Sequence, residues 1–496
     1  MSSMKTMRLL AALAVAALLV FAAGCGAGEE TGGAADLVPG DVSFYLVVDT
    51  DFDGDQWSAV EDLAARFPGG EGALQRFFAE IAADADAEID FERDVKPALG
   101  PEVVVVGLEF DAGEDPPVVA LTQPDDLEAF QQLLQKSEEP PVVQEVDGWQ
   151  AVAPDQEALD RFLDARNGPR LSDSETFDRA MDGLDGDALV RGFVDGESLN
   201  ALPPEDEAVL SPLFGMLGGT GTIAASGFAV AASDDGARMD GTMVFPEDAE
   251  PWFVTEPFEA ELPETVPGDA LAYVGFSDLD QAIAGFRDAL AESDPSTERE
   301  IAQLEAFLGV SLEADLAPLL ADEGALYVRR GAVIPEVTLV TRVEDEAQAL
   351  ATLDELVSGA GAFVPLGPAQ QSDVDGVEVR EIAFSPPFGL VYGAFDGLLV
   401  LSTSREGIAA LRADGDRLAD DDGYEDALDE AGVPGETTGF AYADLEEIFP
   451  LVFGLAELGG EDVAESRRYT DPLGSFVVWG TTDDDIARYS VFLGID

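Results

Sequence analysis

Two stretches of this chain carry the same short motifs in the same order, and that repetition limits the possible fold more than any other feature of the sequence. Val38-Pro39-Gly40-Asp41, followed by the apolar run Val42 to Val48, recurs as Val266-Pro267-Gly268-Asp269 before Leu271 to Phe276. The segment Phe91 to Leu99 recurs as Leu312 to Leu320, and each copy leads into a strand, Val103 to Leu108 and Ala325 to Val328. Val146-Asp147-Gly148 matches Val374-Asp375-Gly376, Phe177 to Leu184 matches Tyr424 to Ala431, and Ser226 to Val230 matches Gly474 to Val478. Such collinear matches predict an internal duplication into two homologous domains, residues 36–248 and 266–496. Between them, residues 249–265 place Pro251, Pro257 and Pro263 among acids and read as an extended, semi-rigid linker.

Within each half, apolar residues alternate between helical and strand spacing. Trp57, Val60, Leu63 and Phe67 recur at helix spacing, as do Leu279, Ile283, Phe286 and Leu290. Short acidic turns such as Ser233 to Gly236 and Thr482 to Asp485 join strand runs, which suits antiparallel hairpins. The predicted fold class is α+β, with a mostly antiparallel sheet and packed helices in each domain. The second half also carries an extra stretch between Gly376 and Leu399, including a hairpin over Val379 to Phe395. Its absence from the first half reads either as neutral loop drift or as an open sheet edge or groove there, available to a partner strand.

The Val-Pro-Gly-Asp openings and the Phe91 to Gly100 segment resemble the bacterial domain-of-unknown-function family numbered thirty-three fifty-two. Members of that family are secreted or envelope-anchored. The resemblance extends over about Asp36 to Asp496 and implies the location and the duplication. It implies no activity, so it carries no functional residue over. Lys96 of the first copy is Ala317 in the second, so the two halves cannot share a role for that lysine.

The N-terminus supports an exported protein. Lys5 and Arg8 precede an apolar run from Leu9 to Phe21, and Ala22-Ala23-Gly24 then lead to Cys25, the one cysteine of the chain. This layout is that of a secretory signal over residues 1–24. Its ending resembles the bacterial lipoprotein box, which implies a diacylated Cys25 anchored on the outer face of the cell membrane. Two acyl chains hold a protein on a bilayer stably where one does not. Residues 25–35, rich in glycine and glutamate, form a flexible tether.

Composition then removes whole classes of function. The chain has no histidine and a formal charge of −77 from 25 basic and 102 acidic residues. Histidine-dependent catalysis and zinc sites are absent, and nucleic acid is repelled. The remaining metal candidate is Asp49-Thr50-Asp51-Phe52-Asp53-Gly54-Asp55, in which Asp49, Asp51, Asp53 and Asp55 copy the first half of a calcium loop. Val60 stands where that loop needs its bidentate glutamate, so a solvated strand-to-helix turn is the competing reading. No catalytic residue and no cofactor other than this calcium is nominated. Phe214 to Thr222 lacks the lysine of a phosphate loop and reads as a mobile or membrane-proximal apolar loop. The expected function is a non-catalytic, lipid-anchored binding or scaffolding module, whose partner is an envelope protein or an apolar ligand. A carrier of lipid, favoured by 29 phenylalanines, and a calcium-dependent surface protein are the alternatives.

Overall fold

The fold is described from a computed structural model for residues 32–76, 89–109, 117–136, 140–201, 223–246, 255–293, 301–303, 305, 311–332, 334–360, 369–383 and 389–496. Cys25, the signal segment and Phe214 to Thr222 lie outside the described residues. The chain divides into two compact units. The first comprises Met1–Ala249 with Val463–Leu473 and Arg488–Asp496; the second comprises Glu250–Asp462 with Gly474–Ala487. The division read from sequence places both of those C-terminal segments in the second half.

In the first unit the strands are β1 (Val42–Asp49), β2 (Glu102–Leu108), β3 (Val118–Thr122), β4 (Val142–Val146), β5 (Trp149–Ala153), β6 (Val190–Asp195), β7 (Ala225–Ser233) and β8 (Gly236–Val244). They pair antiparallel in the order β4-β5-β3-β2-β1-β6-β7-β8. Strand alternation sends Tyr45, Val47, Val104, Val106 and Phe193 to one face. There they pack with Leu159, Phe162 and Phe177 from the helices α3 (Gln156–Ala165) and α4 (Glu175–Met181). The opposite face carries Val105, Ala120 and Val152, covered by Phe91, Val95, Phe130 and Leu133, the last two from α2 (Leu127–Leu134). Trp57 and Val60 of α1 (Asp55–Arg66) cover Val48 and Val190 on that same face.

The second unit is built from β9 (Ala270–Phe276), β10 (Gly324–Arg329), β11 (Glu336–Arg342), β12 (Gln370–Val374), β13 (Val377–Ala383), β14 (Gly389–Phe395), β15 (Leu398–Ser402), β16 (Gly439–Asp444) and β17 (Leu473–Asp483). Their antiparallel order is β12-β13-β14-β15-β11-β10-β9-β16-β17. Its helices include α5 (Leu279–Ser293), α6 (Glu346–Ala360), α7 (Arg405–Arg412), α8 (Asp422–Glu430) and α9 (Leu445–Leu458). Both units are therefore α+β with antiparallel sheets.

Each Val-Pro-Gly-Asp motif has the same local cause. The Val38 carbonyl accepts the N–H of Leu171 at 3.0 Å, and the Gly40 N–H donates to the Pro169 carbonyl at 2.9 Å. In the second unit Val266 accepts from Leu418 and Gly268 donates to Asp416, both at 2.9 Å. A Cβ on Gly40 or Gly268 would lie 3.2 or 3.1 Å from the facing arginine carbonyl, so any other residue would need the backbone to give by a few tenths of an ångström. The clasped segments are short 3-10 turns, Leu171–Asp173 and Leu418–Asp420, each closed by an aspartate that accepts the N–H of the preceding arginine.

The register corrects one match made from sequence. β5 pairs with β3 and β15 pairs with β11, so the second-unit counterpart of the Asp147-Gly148 turn is Asp396-Gly397, not Asp375-Gly376. All three Asp-Gly turns adopt positive φ at both residues, the requirement of a tight hairpin, which is why sequence alone does not tell them apart. The extra chain in the second unit is thus the hairpin β12–β13, which lies against β14. On the first unit's edge strand, β4 pairs only with β5 among the described residues, leaving Val143 exposed.

The described part of the proline-rich segment does not hang free. Leu262 and Pro263 are buried in a 3-10 turn, and Phe258 bridges to Thr437 by two backbone hydrogen bonds.

Candidate functional site: an uncovered apolar surface in the second unit

The aspartates nominated from sequence build a turn. Asp49 ends β1, and its Oδ1 accepts the Asp51 N–H at 2.8 Å. Oδ1 of Asp51 accepts the Asp53 N–H at 3.4 Å, and the Asp51 carbonyl accepts the Gly54 N–H at 2.7 Å. Asp53 forms an ion pair with Lys96 at 2.7 Å, while Asp55 sits in the first turn of α1, where a negative charge favours the helix dipole. Among the described residues, no three acidic side chains are grouped so as to hold a metal ion. Burial pushes the Asp49 carboxyl up to about 6, reinforced by the charges of Asp51 and Glu102 and opposed by the Asp51 hydrogen bond and by Arg191. A carboxyl raised in this way stabilises the fold below its ordinary pKa, and that contribution is lost as pH rises through about 6.

A different feature stands out in the second unit. From Leu271 onward the residues of β9 alternate: Leu271, Tyr273 and Gly275 are buried, whereas Ala272, Val274 and Phe276 are not. Register extends that second face across the sheet. Leu339, Leu326, Val274, Ala441 and Val478 form one row over five strands. Val337, Val328, Ala272, Ala443 and Phe476 form the next. At about 4.8 Å per strand each row spans about 19 Å. Leu326 is 40% exposed, Val274 42% and Phe476 36%. The equivalent row of the first unit holds Val105, Ala120 and Val152, all buried. Among the described residues, one end of this face is covered, where Leu353 of α6 packs with Tyr392 and Leu399.

α9 continues the apolar surface. It leaves the end of β16, capped by Asp444, whose Oδ1 accepts the Glu447 N–H at 2.9 Å. Glu447 pairs with Arg330, the residue after β10. The helix is the apolar sequence LEEIFPLVFGLAEL, yet none of its residues is buried. Phe449 and Phe453 stack on each other, while Val452 is 50%, Leu455 44% and Leu458 87% exposed. Exposed apolar groups concentrated in this way mark interaction surfaces in soluble proteins.

Cavities are also present among the described residues of the same unit. One of ≈ 370 Å³ is lined by Phe258, Tyr424, Leu428, Val433 and Phe440 under an acidic rim. Another, of ≈ 550 Å³, is polar, and its arginines are engaged: Arg329 holds Asp269 through two N–H groups at 2.6 Å, and Arg417 donates to the carbonyls of Thr265 and Ala413.

Sequence reasoning did not find the uncovered sheet face. Alternating apolar strands look alike whether or not a helix covers them, and only the register reveals which rows remain open. The exposed helix left a trace, because Phe453-Gly454 to Gly460 partly matches the sequence of Phe214 to Thr222.

No curated protein matches the chain. The crystal form III structure of TP0453 aligns with 44% of this chain and 80% of its own, at 9% identity and a TM-score of 0.22. A likeness at that level carries no argument. The family described as "Protein of unknown function (DUF3352)" matches residues 135–494. That range contains the second-unit motifs Val266 to Asp269 and Leu312 to Leu320, the β9 and β10 rows and α9. With most of its length matched, including the whole uncovered apolar surface, the chain belongs to the DUF3352 family.

Proposed function

We propose that this is a non-catalytic, lipid-anchored protein of the bacterial envelope, made of two homologous domains, whose second unit is the binding part. The observation that carries the binding role is the exposed row Leu326–Val274, where the same sheet position of the first unit, Val105, is buried. Leaving such a surface in water forgoes about 25 cal/mol per Å² of apolar area, a cost that a bound partner removes. Duplication is supported by the recurring clasp of a Val-Pro-Gly-Asp motif on a 3-10 turn, and by the recurring π-turn before β2 and β10, Phe91–Val95 and Leu312–Leu316. Anchoring rests on Cys25 and its preceding signal. Among the described residues, no helix is long and apolar enough to cross a membrane. The non-catalytic reading rests on the missing histidines and on the absence from the sequence of any nominated catalytic set.

A carrier of lipid is the second reading, favoured by the length of the open rows and by the cavity beneath Phe258 and Tyr424. Native mass spectrometry of the full chain, released from membranes in mild detergent, separates the two. The expected spectrum contains the diacylated chain and its complex with a protein. An excess mass removed by organic solvent, beyond the two acyl chains on Cys25, replaces the scaffold with the carrier. A chain of unmodified mass recovered from the medium overturns the anchored reading.

A further inference from the structure

We infer that the cavity beneath Phe258 binds an organic cation, a small molecule that carries an N-alkylated ammonium group. The site uses no residue of the Leu326 row and does not depend on the role given to that row. Its walls are the segment from Phe258 to Glu264, α8, and the chain that leads from α8 into β16. At ≈ 370 Å³ it lies at the low end of small-molecule sites, which run from about 300 to 1,000 Å³.

The lining pairs aromatic rings with unneutralised carboxylates. Phe258, Tyr424 and Phe440 supply the rings. Tyr424 and Phe440 are buried, and each is fixed by another ring: Tyr442 meets Tyr424 edge-on at 5.1 Å, and Tyr273 lies against Phe440 at 5.2 Å. Phe258 is tied to Thr437 by backbone hydrogen bonds of 2.8 and 3.0 Å. Glu259, Glu264, Glu425 and Asp429 line the same cavity, and all four are exposed. Among the described residues, none of these four forms an ion pair, and no lysine or arginine lines the cavity.

That combination selects the charge and the chemistry of the occupant. Four carboxylates repel an anion, and among the described residues no three acidic side chains are grouped to hold a metal ion. Aromatic faces attract a cation, most strongly one that sheds its water easily. An alkylated ammonium carries its charge under methyl or methylene groups, so it meets the rings through both charge and apolar area. The duplicate unit provides a contrast. Phe440 lies opposite Gly275, and Arg191 lies opposite Val47, which stands as far from its Val-Pro-Gly-Asp motif as Gly275 does. The first unit therefore places a guanidinium where the second places a ring, and a guanidinium there repels a cation.

Choline is the probe, and its neutral carbon isostere dimethylbutanol is the comparison. Broadening of the ligand methyl signal is read by NMR on the full chain in non-ionic detergent, at about 0.3 M NaCl, where screening suppresses loose adhesion of cations to a polyanion. Wild type is expected to bind choline about tenfold more tightly than dimethylbutanol. Phe258→Leu keeps an apolar side chain but removes a ring, and is expected to weaken choline about fivefold, with a smaller change for the isostere. The double variant Glu425→Gln, Asp429→Asn alters only exposed carboxylates, so it keeps the test valid if Phe258→Leu lowers the melting temperature. It is expected to weaken choline and to leave dimethylbutanol unchanged. Equal affinity of wild type for the two probes overturns the inference, since the cavity then reads apolar area alone. So does choline binding that survives either variant undiminished. Phosphocholine is expected to bind more weakly than choline, because its phosphate meets the carboxylates; binding at least as tight as that of choline replaces the free cation with a lipid headgroup.

Discussion

Val105→Asp unfolds the first unit, whereas Leu326→Asp, at the same sheet position of the second, leaves the chain folded. Both residues sit mid-strand, Val105 opposite Leu46 and Leu326 opposite Val274. Aspartate is a poor strand residue at either place, costing about 1 kcal/mol. The difference lies above the sheet. Val105 is 2% exposed, beneath Phe91, Val95 and Phe130, so an aspartate there must bury a carboxylate or take up a proton, at about 4 kcal/mol or more. A carboxylate at position 326 stays in water. Urea unfolding followed by circular dichroism is expected to show a lost or strongly lowered transition for the first variant and a small shift for the second. Equal losses would mean that the Leu326 row is covered.

Glu323→Ala is the second large effect. Glu323 is buried, and its Oε1 accepts the N–H groups of Glu261 and Leu262 at 2.8 and 2.7 Å. Its Oε2 accepts from Arg342 Nε at 2.9 Å, and Arg342 also holds Glu261. Alanine leaves two N–H groups at the start of a buried turn without an acceptor, and Arg342 without its inner partner. Breaking a buried pair costs about 3–5 kcal/mol, and because Arg342 is one-third exposed and retains Glu261, the lower end applies, about 3 kcal/mol. Glu323→Gln keeps an acceptor for the two N–H groups and is expected to lose about 1–2 kcal/mol. If glutamine proves as damaging as alanine, the arginine, not the turn, is the element that Glu323 supports.

The α+β class was legible because apolar period changes along the chain, and the family was legible from two short motifs. Why those motifs exist was not. Val38 to Asp41 is clasped by Arg170 and Leu171, more than a hundred residues away, and no local pattern announces that partner. The Asp-Gly turns misled the alignment because three hairpins satisfy the same positive-φ requirement. The Asp49 to Asp55 loop reads in sequence both as a cation site and as a turn, because the aspartates whose side chains accept backbone N–H groups in a strand-to-helix turn are the residue type, at the spacing, that a cation would use. The open apolar rows were illegible for a more general reason. Sequence records which residues alternate, but cover is a property of helices far along the chain. Among the described residues, α1 and α2 cover this face in the first unit, and in the second α6 covers the part near β15.

The most direct test of the binding surface is site-specific photo-cross-linking of the lipidated chain in its own envelope. A benzophenone side chain replaces Leu326, and a control replaces the exposed Asp414 on the acidic surface. The account predicts a discrete protein adduct from position 326 and none from 414. No adduct from position 326, or the same adducts from both positions, would contradict it.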